Sequence, residues 1–190
     1  MTERNTLVRS AHDLGLAAWF GGSLMGAVGL NGAAQEAGAS EVGVARIASA
    51  GWTAWAPWGA VAIGSHLLGG AGILAANRGR VGAQKGVAAS TVAKAVLTGT
   101  ALAATAYTRV LGKKVDLATS DNEKDQETAE HVPVDTHQAQ KQLALMQWAV
   151  PALTAGLVVL NAAHGEQQRP LQQVSGAVRS GLKGLNPQKW

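Results

Sequence analysis

The sequence predicts an all-α fold, a polytopic membrane-embedded bundle of four helices followed by a C-terminal amphipathic helix. Three observations predict it. Charged residues make up only 15% of the 190, against about 25% in an ordinary soluble domain. The charges are clustered, leaving Leu14–Gln35, Ile47–Asn77, Ala95–Thr108 and Gln142–Gly165 without Asp, Glu, Lys or Arg. Ala and Gly supply roughly a third of the chain, with neither the Gly period nor the Pro content of collagen. A hydrophobic share of 47% excludes whole-chain disorder, and the absence of Cys excludes disulfides and thiolate metal sites.

A bilayer core about 30 Å thick needs about 20 mainly apolar helical residues. That length places spans at 14–34, 55–76, 87–111 and 143–163. The first span follows Arg4 and Arg9 like a signal peptide, and Gly32-Ala33-Ala34 resembles a cleavage site. Its apolar stretch exceeds an h-region of about 7–15 residues, so it is read as a retained span. Its polar and small stripe runs through His12, Trp19, Ser23 and Gly26, with Gly22 at the edge.

On the second span Gly59, Ala62, His66 and Gly70 share a face. Trp52, Trp55 and Trp58 fall at its outer end, where an aromatic belt belongs. Pro57 there and Pro151 in the fourth span are expected to kink their helices. Gly69-Gly70-x-Gly72 lies inside the span and reads as helix packing, not as a phosphate cradle. The third span carries Lys94 and several Thr, with Ala95, Gly99 and Ala103 as a separate ridge of small residues. The fourth aligns Gln147, Pro151, Thr154 and Asn161. Matching stripes of this kind let helices approach closely and hydrogen-bond in lipid.

The stretch 112–141 reads as one polar loop. Ser120-x-x-Glu123 resembles a capping box opening a short helix that ends near Pro133. His131, Asp135 and His137 have no strong zinc spacing and read as solvated. In the tail, 166–190, Leu171, Val174, Val178, Leu182 and Leu185 fall on one helical face and Arg179 and Lys183 on the other. This basic amphipathic segment is expected to lie on anionic lipid.

Lys and Arg set the orientation. Nine of them lie in the N-terminus, the second loop and the tail, and six in the first and third loops, where acids accompany them. The expectation is a multi-pass protein of a bacterial inner membrane with both termini cytoplasmic. The polar residues at depth are His66, about 16 Å from the inner end of its helix, Lys94, about 10 Å from its own, and Asn161. His12 and His164 lie near the boundary. Neutral imidazole is a common metal or haem ligand, so His12, His66 and His164 are candidate cofactor-binding residues, and without a Cys attachment any haem is b-type.

Around His12-Asp-Leu-Gly-Leu-Ala-Ala-Trp19-Phe-Gly21-Gly22 the chain resembles small four-helix bacterial membrane proteins related to the copper-resistance D group. The resemblance implies a four-span plan built around His12, Trp19, Gly21 and Gly22. That group is mostly of unknown function, with metal or haem roles suspected for some members.

No nucleophile–base pair, Walker motif or dinucleotide fingerprint is present, so the chain is not expected to be an enzyme. The function expected is that of an accessory or structural subunit without a cofactor. Its partners are the lipid bilayer and either a second copy or a larger membrane complex, with no nucleic acid. The alternatives are a haem- or metal-binding redox or transport protein using the histidines, and a solute or proton pathway through Lys94.

Overall fold

The computed structural model describes residues 6–83 and 85–167; the side chains of 79–87 and 164–167 lie outside that description, as does the amphipathic tail beyond residue 167. Among the described residues the chain is helical, with no strand. Helix α1 (Thr6–Met25) continues through a five-residue π-helical turn (Gly26–Leu30) into α2 (Asn31–Ala37). Helix α3 spans Glu41–Ala83, α4 Lys85–Ala118, α5 Glu123–Glu130 and α6 Thr136–Gln167. Three of these rods, Thr6–Ala37, Glu41–Arg78 and Thr136–Ala163, are long and apolar enough to cross a membrane. The segment expected as a third span belongs to α4, which is not among them, because Thr residues and Lys94 dilute its apolar content.

Local chemistry sets the breaks. Gly38 turns extended after α2, and its N–H closes on the Ala34 carbonyl at 2.9 Å. Ser40 then caps α3, its hydroxyl accepting from the Gly43 N–H at 3.2 Å. Pro57 and Pro151 lie inside α3 and α6 without ending either helix.

The polar stretch 112–141 holds the short helix expected before Pro133, as α5, but is helical at both ends as well. Helix α4 runs through Gly112 to Ala118, and α6 already starts at Thr136. The cap of α5 is Asn122, whose side chain accepts from the Lys124 N–H at 3.1 Å. Ser120, two residues earlier than that cap, donates instead to Asp125 at 2.7 Å. Asp135 caps α6 by accepting from the His137 and Gln138 N–H groups at 3.0 and 3.1 Å.

Helix α1 lies along α3, and α4 along α6, with α1 also touching α6 and α3 touching α4. One core cluster joins Trp19, Ala62, Ala101, Ala104 and Val150 from all four long helices. A second, nearer α5, joins Leu111, Val115 and Ala139. Both are dominated by small or medium side chains, so the helices pack by backbone proximity more than by interlocking large groups.

Candidate functional site

The α1–α3 contact is built on glycine. A Cβ at Gly15 would lie 2.5 Å from the Ala62 carbonyl oxygen and from the His66 nitrogen. A Cβ at Gly69 would lie 2.5 Å from the His12 nitrogen. The two helices therefore touch backbone to backbone at a repeated pattern, His12-x-x-Gly15 facing His66-x-x-Gly69. Each glycine admits the other helix's histidine.

The histidines then complete the contact reciprocally. His12 Nδ1 lies 2.8 Å from the His66 carbonyl oxygen, and His66 Nδ1 lies 3.1 Å from the His12 carbonyl oxygen. A carbonyl only accepts, so in both rings Nδ1 carries the hydrogen. The rings stack with centroids 4.1 Å apart and planes 19° apart. His66 is 3% exposed, and Trp19 closes over it at 6.1 Å between ring centroids. Trp19 in turn donates to the Thr105 hydroxyl on α4 at 3.3 Å.

Further along the same interface, indole rings fill glycine seats. Trp55 lies against Gly22 and Trp52 against Gly26, at positions where any Cβ would overlap the ring. Trp52 also donates to Asn31 Oδ1 at 3.0 Å, and Asn31 Nδ2 donates to Gln147 on α6. These two tryptophans are packing elements rather than the expected aromatic belt; Trp58 alone of the three is strongly exposed, at 66%. Ser23, whose hydroxyl donates to the Phe20 carbonyl at 2.9 Å, shares the stripe.

This register sets where His66 stands beside the charge-free run of α1. Gly15 meets His66 and Leu30 meets Gly51, so the charge-free stretch 14–35 of α1 lies beside about 46–67 of α3. His66 thus sits at the edge of the shared charge-free zone, level with the start of the α1 run, and not near the middle. The 31-residue charge-free run of α3 concealed this, because the helix is longer than the zone it shares.

Of the candidate cofactor residues, the fold brings His12 and His66 together. His164 lies in the last turns of α6, its side chain outside the described residues. Rings stacked at 4.1 Å leave no space between them for an iron with both as axial ligands. With Nδ1 engaged, Nε2 is the nitrogen each ring retains for a metal or a proton. Lys94 is half-buried, and Asp13 is the charge that acts on both Lys94 and His66. Asn161 is half-buried on α6. No group of three or more metal-ligating side chains forms among the described residues, and His131 instead bonds the Glu127 carbonyl at 2.9 Å.

The reciprocal geometry makes a definite prediction. His66→Leu removes one interhelical hydrogen bond and one ring stack, but leaves the His12 bond to the residue-66 carbonyl in place. The expected loss is about 1–2 kcal/mol, read from unfolding of the detergent-solubilised protein. A loss above about 4 kcal/mol would show that the ring carries more than this clasp.

Comparison with protein-family models, curated proteins and solved structures finds no match.

Proposed function

We propose that the chain is a four-span integral protein of a bacterial inner membrane, acting as a non-enzymatic accessory or structural subunit. One observation carries this reading. Large apolar side chains point outward from every long helix, while polar side chains in the interior bond to the backbone or to neighbouring helices. Leu14 on α1 is 69% exposed, Leu68 on α3 78%, Val96 on α4 64% and Leu145 on α6 73%. Among the described residues no buried side-chain nitrogen or oxygen lacks a partner. Lipid is the solvent that suits such a surface, and it favours counting α4 as the fourth span, with Lys94 extending to the edge of the slab. The subunit packs through small-residue helix faces, of which Gly21, Gly64 and Gly99 are unoccupied within the bundle, against a second copy or a larger complex.

Some of the cations that count against cytoplasmic termini are held within the fold. Arg109, Lys113 and Lys114 argue against that orientation, with Arg46 in the first loop; Arg109 is exposed, and the other three are engaged within the fold. Arg46 pairs with Asp121, Lys113 with Asp116 at 3.0 Å, and Lys114 donates to the Ala129 carbonyl. Cations held within the fold have less free charge to retain a loop in the cytoplasm. Reporter fusions after Ser120 are expected to read outside, and those after Gly82 and Trp190 inside. An inside signal at Ser120 overturns the topology.

The haem- or metal-binding alternative has one feature behind it. A histidine whose Nδ1–H is fixed by a carbonyl, leaving Nε2 available, is the arrangement of metal-ligating histidines. A visible spectrum and metal analysis of the purified protein separate the readings. A haem band or stoichiometric metal that disappears in His66→Leu would replace the accessory reading with the alternative.

A further inference from the structure

Tryptophan recurs at every third position of α3 in Trp52, Trp55 and Trp58, and two of the three have seats. Trp52 lies against Gly26 and Trp55 against Gly22, each indole filling the space that a missing side chain leaves on α1. Trp58 continues the series but is 66% exposed. The register that sets Gly15 against Ala62 and His66, and Leu30 against Gly51, puts Trp58 close to the middle of the charge-free zone that α1 and α3 share. Tryptophan concentrates at the two edges of a bilayer rather than at its centre. A large exposed indole at mid-depth is better matched to protein than to lipid tails.

Helix α1 carries a seat that nothing fills. A Cβ at Gly21 would meet nothing within 4 Å. Gly21 is turned about 100° from Gly22, and Trp58 about 60° from Trp55. In an antiparallel pair these turns carry both residues to one side. Trp19 and Ser23 turn the other way and are buried, with Trp19 bonding to Thr105 on α4. Gly21 and Trp58 therefore share the face away from α4, together with the exposed Leu14, Met25, Val61 and Leu68. By the same register Gly21 lies beside about residue 59 of α3, level with Trp58 to within roughly one residue rise, ~1.5 Å.

We propose that this face is the interface of a homodimer, in which Trp58 of each copy sits on Gly21 of the other. The proposal rests on the membrane reading above and names a second copy as the partner. A two-fold axis along the bilayer normal keeps depth and exchanges sides, so a patch pairs with itself only where knob and seat stand at one level. Trp58 and Gly21 meet that condition. The axis lays α1 of one copy across α3 of the other, in the antiparallel sense in which Trp55 already sits on Gly22. The interface thus continues the seating pattern built inside the chain, and a glycine seat gives the close packing that holds helices together in lipid. The size suits a dimer too. The Leu14–Gln35 run and the stretch of α3 beside it carry no Asp, Glu, Lys or Arg between Arg46 and Arg78. A face about 33 Å long and two helices wide offers on the order of 600 Å² of flat footprint, approaching the ~800 Å² a side of a standard interface.

The test uses the full chain in phosphatidylcholine vesicles, read as energy transfer between copies against the protein-to-lipid ratio. The chain has no Cys, so one cysteine appended after Trp190 carries the donor or acceptor dye. The parent is expected to show transfer that saturates as a dimer. Trp58→Ala and Gly21→Leu should each raise the dissociation constant about thirtyfold, the effect of a hot-spot tryptophan. The double variant should be little worse than either, because both remove one contact. Gly99→Leu, at an equally open glycine on α4, should keep the parent value. Both test sites are open within one chain, so in excess detergent, where copies are diluted apart, each variant should unfold with the parent. Absence of transfer in the parent overturns the proposal, as does undiminished transfer in either variant or an equal loss in Gly99→Leu. Transfer seen in native membranes but lost in the purified vesicles would assign the face to a larger complex and overturn it too. Flotation with the vesicles is read first. A chain that stays behind removes the membrane reading and the proposal with it, whereas a chain that floats as a monomer removes the proposal alone.

Discussion

Gly15→Leu is expected to destabilise the bundle by about 3 kcal/mol or more, the upper end of what overpacking costs. A Cβ at this position meets the Ala62 carbonyl oxygen and the His66 nitrogen at 2.5 Å, and the His66 Cα at 3.0 Å. All three are backbone atoms, so no rotamer change relieves the overlap. The helices must separate, and separation breaks the two His–carbonyl bonds at 2.8 and 3.1 Å along with the 4.1 Å ring stack. Gly69→Leu should behave alike, since its Cβ meets the His12 nitrogen and Cα. The two effects should not add, because both open the same crossing. Gly21→Ala and Gly99→Ala are the controls. Nothing lies within 4 Å of a Cβ at either site, so each should stay within about 0.5 kcal/mol of the parent or stabilise it through helix propensity. Unfolding in detergent of all four variants checks the contrast. Gly15→Leu melting with the controls would mean that α1 and α3 do not cross at these residues.

The helical class and the outward apolar faces were legible in the sequence, because charge-free runs of 20 residues leave few alternatives. The site was legible only in part. His12 and His66 stood out as polar groups in apolar surroundings, and Gly22 and Gly26 as small residues. Their partnership did not follow, because the register between two antiparallel helices is set by side chains seating on the opposite backbone. The signal was nevertheless present. His-x-x-Gly occurs once in each helix, and in an antiparallel pair such a motif can pack on its own copy, each glycine admitting the other's histidine. The tryptophans misled for a related reason. Hydropathy and position place Trp52 and Trp55 at a membrane interface, whereas Gly26 and Gly22 give them seats inside the bundle. The polar stretch after Leu111 misled because charge density was taken as the end of the helix. Lys113 and Asp116 stand one turn apart on α4 and pair along it, and Lys114 is drawn inward, so the helix continues to Ala118.

Lys114 supplies the second large effect, because two adjacent lysines meet opposite fates. Lys113 has a 63% exposed side chain and an i,i+3 pair with Asp116. Lys114 is 6% exposed and donates to the Ala129 carbonyl. Ala129 belongs to the last turn of α5, where carbonyls lack an i+4 helical donor and the helix end carries partial negative charge; its carbonyl also accepts from the Val132 N–H at 3.1 Å. A buried ammonium is tolerated there because it adds a charged donor to that carbonyl and meets the negative helix end. Lys114→Met keeps most of the apolar stem but removes the charged donor, leaving the Ala129 carbonyl with the Val132 N–H. The expected loss is about 2–3 kcal/mol, the range for a hydrogen bond to a charged group. Lys113→Met should cost less than about 0.5 kcal/mol, as an exposed helical pair does. The damage should be local, since α5 packs on α4 and makes no comparable contact with the other long helices. Hydrogen exchange is therefore expected to quicken across α5 and residues 119–135 in Lys114→Met, while amides in α1 and α3 keep their protection. Equal losses in the two variants, or exchange quickening evenly through all the helices, would show that α5 is not anchored by this side chain.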